Sequence, residues 1–151
     1  EGSRFLIVGS GAMTNALVRV AESELAPGSY HFVGYVPSAL MPAYYLAADV
    51  VLFTSRYETW ARATNEAMLC KRVCVVNRRI PAAGDLVIDG VTGFVVDGGE
   101  VHEYVAVLDR WFSMSEESRK WRQAAARRHA ENFAYERYVD EFLASLQCTL
   151  G

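Results

Sequence analysis

Val50-Val51-Leu52-Phe53, then Thr54, then Ser55-Arg56-Tyr57-Glu58-Thr59-Trp60-Ala61-Arg62-Ala63-Thr64-Asn65-Glu66-Ala67-Met68 is the stretch on which the reading of this chain turns. Its first four residues are β-branched, aliphatic and aromatic, the composition of a buried strand. Beyond them the chain climbs into a helical pattern carrying Glu66 and leaves Glu58 in the turn before it. Two carboxylates with seven residues between them, one in a strand-to-helix loop and one inside the helix, are the chemistry that the flanks must explain.

The same alternation recurs on both sides. Upstream, Phe5–Val8 is a short apolar run ending in Gly9-Ser10-Gly11, followed by a helical pattern with Leu17, Val18 and Val20 that Pro27-Gly28 closes. Tyr30–Val33 is a second strand, ended by Gly34, and Ala39–Ala48 a short amphipathic helix. Downstream of a helix reaching about Leu69, Val73–Val76 is a fourth strand. A loop with Arg78, Arg79, Pro81 and Gly84 leads to a helical turn near Asp85-Leu86-Val87. Asp89-Gly90-Val91-Thr92-Gly93 is turn chemistry before a fifth strand, Phe94–Val96. Three helical segments are expected after Gly99, at about Val101–Phe112, Glu116–Asn132 and Tyr135–Leu146. Short apolar strands alternating with helices define an α/β fold, a Rossmann-like doubly wound parallel sheet.

A length of 151 residues suits one domain with a real core. Hydrophobic residues at 52% and charged residues at 22% are those of a globular chain. A formal net charge of -3 gives no general attraction to nucleic acid or to an acidic membrane. Cys70, Cys74 and Cys148 have no metal-ligand spacing and read as reduced, buried thiols of a cytoplasmic protein. His31, His102 and His129 share no spacing with them, so no metal site is expected. No apolar run approaches membrane-spanning length. The first residue stands about four positions before a strand, which reads as the start of a piece of a longer protein.

The loops Gly9–Gly11, Gly34–Pro37, Ser55–Arg62 and Arg78–Gly84 each follow a strand. In a parallel sheet such loops share the carboxyl edge, where ligands of open α/β sheets bind. Gly9-Ser10-Gly11 invites a dinucleotide reading, but Thr14 stands where the third glycine belongs. Two other readings stay open: a small-residue turn that lets some ligand approach the backbone, and a tight turn with no ligand. Glu66 is likewise either a solvated, dipole-stabilised carboxylate or a group facing the ligand edge. In the second case it needs donors, and two vicinal hydroxyls such as a ribose diol satisfy both its oxygens. The amides of Trp60, Ala61 and Arg62, at a helix start, favour phosphate. Carboxylates for hydroxyls and amides for phosphate together fit a nucleotide-sugar.

These residues resemble the signature of the retaining glycosyltransferases of family four, the group one glycosyltransferases of GT-B fold. The Glu58–Glu66 pair followed by Ala67-Met68 carries the likeness, and the flanks agree: Phe5–Gly11, Phe32-Val33-Gly34-Tyr35-Val36, Ala47-Ala48-Asp49-Val50, and Ala83–Val96. The resemblance implies the donor-binding half of a two-domain enzyme, lacking its first strand-helix unit, with the N-terminal acceptor domain missing. It implies that Glu66 binds the ribose hydroxyls of a UDP- or GDP-linked sugar and that Glu58, the catalytic residue, lies near the anomeric centre. Ser55, Thr59 and the amides around Trp60, Ala61 and Arg62 would meet the sugar and diphosphate. Gly9 and Gly11 would form the glycine turn of the donor site, and the backbone at Tyr35 and Val36 would face the base. Transfer would proceed with retention, without metal or other cofactor, to a glycan or lipid-linked acceptor. The alternative is a non-catalytic sugar-nucleotide-binding or scaffold domain.

The departures from that pattern are specific. The family usually has glycine where this chain has Thr59 or Ala61, and Lys71-Arg72-Val73 replaces its glycine and proline after the helix. The Arg and Lys that usually grip the diphosphate would lie upstream of Glu1, with Arg56 and Arg62 the stand-ins within the chain. Arg119, Lys120, Arg122, Arg127 and Arg128 read as a solvated helix face, with peripheral contact to an anionic membrane as the alternative. Trp121 is expected inward or at an interface. Trp111, Phe112 and Phe133 are expected in the core or as surface for the missing domain, where an apolar patch would drive a homodimer.

Overall fold

The computed structural model describes residues 3–55, 58–59, 61–80, 82–98 and 100–133. The helix expected over Tyr135–Leu146 and Cys148 lie outside the described residues. Five strands form two parallel sheets, and the chain divides into units at Tyr44/Tyr45.

In the first unit, β1 (Phe5–Val8) pairs with β2 (Tyr30–Gly34) through the crossover helix α1 (Thr14–Glu24). The register runs Phe5↔Tyr30 to Ile7↔Phe32 and shifts at Val8, which faces Gly34. The unit holds an apolar cavity lined by Ile7, Leu17, Val20, Ala21, Leu25 and Phe32, with Glu24 its one charged lining residue. Such a wall offers phosphate nothing. A 3-10 turn, Ser38–Leu40, leads directly into α2 (Met41–Ala47), where one helix over Ala39–Ala48 is expected from the sequence.

In the second unit the order is β3 (Val50–Phe53), β4 (Val73–Asn77), β5 (Gly93–Val96), all parallel. The described strands thus form two parallel, hydrogen-bonded groups, one in each unit, as an α/β fold requires. β4 is central and buried at every residue, which accounts for its unbroken apolar run. Alternation sends Val73 and Val75 to one face and Cys74 and Val76 to the other. The first face joins Val50, Leu52, Phe94 and Val96 in a core closed by Tyr104, Val107 and Trp111 of α5 (Val101–Ser113). There Trp111 and Phe94 meet edge to face. On the second face the Cys74 thiol lies 3.8 Å from the Thr64 carbonyl of α3 (Arg62–Leu69). Helix α6 (Glu116–Ala130) packs on α3 and also reaches β4. Helices on both faces make this unit doubly covered, and each fully buried valine contributes about 1.5–3 kcal/mol.

Trp111 is therefore a core residue, whereas Phe112 is exposed. Trp121 is exposed as well, not inward, with the Arg122 guanidinium over its ring. Two basic residues of α6 carry acidic partners: Lys120 pairs with Glu116, and Arg127 with Glu131. His129 donates from Nε2 to the Asp85 carbonyl at 2.7 Å, a structural role.

Between β4 and β5 the helical turn lies earlier than the sequence suggests, at α4 (Ala82–Asp85), and Ala83 and Gly84 depart from helical geometry within it. Gly93 is obligatory by close approach. A Cβ there would stand 2.5 Å from the Cys74 carbonyl oxygen and 2.7 Å from Val87.

Burial pushes the Cys74 thiol well above its ordinary ionisation range. In the unfolded chain a thiol ionises near pH 8.5. Above that pH the unfolded chain binds fewer protons than the folded one, so stability falls as pH rises, and below it the group has no effect. The urea midpoint is expected to decline from pH 8 to 9.5, with a shallower decline in Cys74→Ala. An equal slope in the variant would show that Cys74 is not the source.

Candidate functional site

Helix α3, like α1, begins without a side-chain cap or an acidic first turn, whereas α5 and α6 have them. α6 begins at Ser115, whose Oγ accepts from the Ser118 amide, and Glu116 and Glu117 fill its first turn. α5 begins at a capping box formed by Glu100 and Glu103. α3 has no side-chain cap and no acidic residue in its first turn; its first residue is the cation Arg62. The Thr64 amide bonds back to the Ala61 carbonyl at 2.8 Å. The amides of Arg62 and Ala63 have no partner inside the helix, as in any first turn. An uncapped helix start is a place for an anion.

The residue that turns the chain into this helix is Ala61, buried and left-handed at φ 58°, ψ 50°. At the other end Lys71 is also left-handed, at φ 58°. The amides of Lys71 and Arg72 return to the carbonyls of Met68 and Ala67, a Schellman closure that glycine usually occupies. These two are the only positive-φ residues other than glycine among the described residues. Both fall where the sequence departs from the family's glycines.

Two side-chain clusters flank this turn. Ser55 Oγ donates to Glu58 Oε1 at 3.0 Å, holding the first carboxylate in the loop. Glu66 accepts from Arg62 Nε on Oε1 at 2.9 Å and from the Tyr45 hydroxyl on Oε2 at 3.4 Å. Its side chain is 33% exposed and that of Arg62 76%, so the pair stands at the surface. Tyr45, only 5% exposed, is not legible as a site residue in the sequence, where it sits inside a short apolar helix. Burial first, and then the neighbouring Glu66 charge, raise its phenol above the ordinary value.

Thr59 is exposed, and Arg56 and Trp60 lie outside the described residues. In the loop after β4, the side-chain oxygen of buried Asn77 accepts from the Arg79 amide, and Arg78 pairs with Asp97. In the first unit, Gly9 (φ 122°) donates its amide to the Gly34 carbonyl at 2.8 Å, which joins the glycine turn to the loop carrying Tyr35 and Val36. Gly11 donates to the Thr14 hydroxyl, so the residue that replaces the third glycine closes the turn. Tyr35 is exposed and Val36 half-buried. Among the described residues there is no cluster of His, Cys, Asp or Glu suited to a metal, and no helix long and apolar enough to cross a membrane.

The site thus combines a Rossmann-like α/β fold with an uncapped helix start and two carboxylates on the loop and helix around it. The family model of the glycosyl transferases group 1 matches residues 1–128, and the chain belongs to that family, as a GT-B glycosyltransferase domain. A D-inositol 3-phosphate glycosyltransferase of Thermobifida fusca is 35% identical over 117 residues, covering 76% of this chain and 26% of the relative. The enzyme of that name from Mycobacterium bovis is 30% identical over 148 residues, covering 95% of this chain and 30% of the relative. The chain thus spans about a quarter to a third of these relatives' lengths. Among solved structures, a glycosyltransferase from Rickettsia africae superposes with a TM-score of 0.86 at 20% identity, over 99% of this chain and 41% of that one. Anabaena HepE, solved with UDP and glucose, gives 0.78 at 23% identity, over 93% of this chain and 40% of its own.

A left-handed alanine carries on the order of 1 kcal/mol of strain that glycine does not. Ala61→Gly is expected to raise the unfolding free energy, read from urea melts, by up to that amount after its own entropy cost, and Ala61→Val to lower it. An Ala61→Gly variant less stable than the parent would mean that the methyl group packs more favourably than its backbone strain costs.

Proposed function

We propose that the chain is the donor-binding domain of a retaining, metal-independent hexosyltransferase that uses a nucleotide-diphosphate-sugar and passes the sugar to a glycan or lipid-linked acceptor. The observation that carries this is Glu66, a half-exposed carboxylate held from behind by buried Tyr45, on the helix whose first amides and first side chain favour an anion. A ribose diol donates to the carboxylate, and the diphosphate takes the helix start.

Glu58, oriented by Ser55, acts on the transferred sugar by electrostatic stabilisation of an oxocarbenium-like transition state, not as a covalent nucleophile. By the family resemblance, Thr59, Trp60, Ala61 and Arg62 would meet the sugar and diphosphate, and Gly9, Gly11, Tyr35 and Val36 the base. The donor is UDP- or GDP-linked and no cofactor takes part. A separate domain supplies the acceptor, so this chain by itself binds donor and transfers nothing. Family membership and the named activities of its relatives support the reading.

Titration with UDP and with GDP, followed by amide chemical shifts, is the test. One of the two is expected to perturb Glu58–Glu66, Gly9–Gly11 and Val36, and Glu66→Ala to weaken it at least about tenfold, as befits loss of hydrogen bonds to a charged group. Shifts clustered elsewhere, or an unchanged affinity in Glu66→Ala, would overturn the assignment.

A further inference from the structure

We propose that Arg62 is a specificity-determining residue that competes with a nucleoside for Glu66 and cooperates with its diphosphate. The chain would thereby distinguish a nucleoside diphosphate from the bare nucleoside. The inference rests on the reading of Glu66 as the ribose clamp, and goes beyond it in assigning Arg62 two opposed roles.

The placement of Arg62 is electrostatically awkward for the helix alone. A cation at the first residue of α3 meets the positive end of the helix dipole, with no acidic residue in that turn to offset it. Its pairing with Glu66 runs cation first, the less favourable order for an i,i+4 pair. Arg62 is also well exposed, so packing does not hold it there. An anion at the helix start would relieve both the dipole and the guanidinium.

The two partners of Glu66 differ in what they can do. Tyr45 is buried and stays with Oε2. Arg62 reaches Oε1 through Nε from the surface, and its remaining guanidinium donors are suited to a bidentate grip on phosphate. A ribose diol arriving at Glu66 competes with Arg62 for Oε1, the oxygen on the more exposed side of the carboxylate. The displaced side chain starts one residue after Ala61, at the amides where a diphosphate would sit. A nucleoside therefore sets its diol hydrogen bonds against an ion pair and offers the released guanidinium no new partner. A nucleoside diphosphate replaces that pair with a stronger, charge-assisted one.

The test measures affinities of the chain for uridine, UDP, guanosine and GDP, in the parent and in Arg62→Met and Arg62→Lys. Methionine keeps the stem and removes the charge, and the exposed position keeps the fold intact, which thermal midpoints check. For the base that binds, Arg62→Met is expected to bind the nucleoside roughly twofold tighter, the scale of losing an exposed ion pair. It should bind the diphosphate at least roughly tenfold more weakly, the scale of a charge-assisted hydrogen bond. Arg62→Lys should restore part of the diphosphate affinity but not the bidentate share. A diphosphate-over-nucleoside ratio unchanged in Arg62→Met overturns the proposal, whether both affinities fall together or neither moves. Glu66→Gln separates the two levels. If it leaves nucleoside binding unaltered, the ribose reading itself fails, and the competition at Arg62 with it.

Discussion

The complete burial of β4 is the constraint on which the geometry of the site depends. A strand covered on both faces must have a helix on each, and the chain meets this with α5 against Val73 and Val75 and α3 against Cys74. Because β3 and β4 are parallel neighbours, α3 is their crossover and has to begin just past the carboxyl end of β3. That requirement brings the helix start, with its first-turn amides, to the sheet edge. Glu66 comes one turn in, at the surface but backed by Tyr45.

The two ends of α3 show how closely this geometry is set. Entry and exit both need a left-handed residue, and the chain supplies Ala61 and Lys71 where glycine would cost less. The Schellman bonds after Lys71 are complete. At Ala61 the left-handed backbone carries a buried methyl group that glycine would lack.

Much of the fold is legible in the sequence because its signals are local. The apolar runs Phe5–Val8, Val50–Phe53 and Val73–Val76 are strands in place, and helices start at Val101 and Glu116 as expected. The division of the strands between two sheets is not legible, since pairing partners are not written in a strand's own residues. The turn at Ala82–Asp85 escapes a sequence reading because its kink depends on Gly84 adopting φ 108°. Residue type alone points Trp121 inward, although its helix offers buried alanines to the core instead. At the site, the spacing of Glu58 and Glu66 locates both carboxylates. The sequence does not show that Tyr45, twenty-one positions away, holds Glu66, because that contact exists only once α2 and α3 are folded.

The central claim is that Glu66 recognises a ribose diol. Its most direct test compares the affinity of the chain for UDP, or GDP if that is the base it prefers, with that of the 2′,3′-dideoxy analogue. The phosphate and base contacts are common to both ligands, so the difference reports the diol alone. The account predicts a preference for the ribose form of at least about tenfold, which disappears in Glu66→Ala. Equal affinities in the parent chain, or a preference that survives removal of the carboxylate, would contradict it.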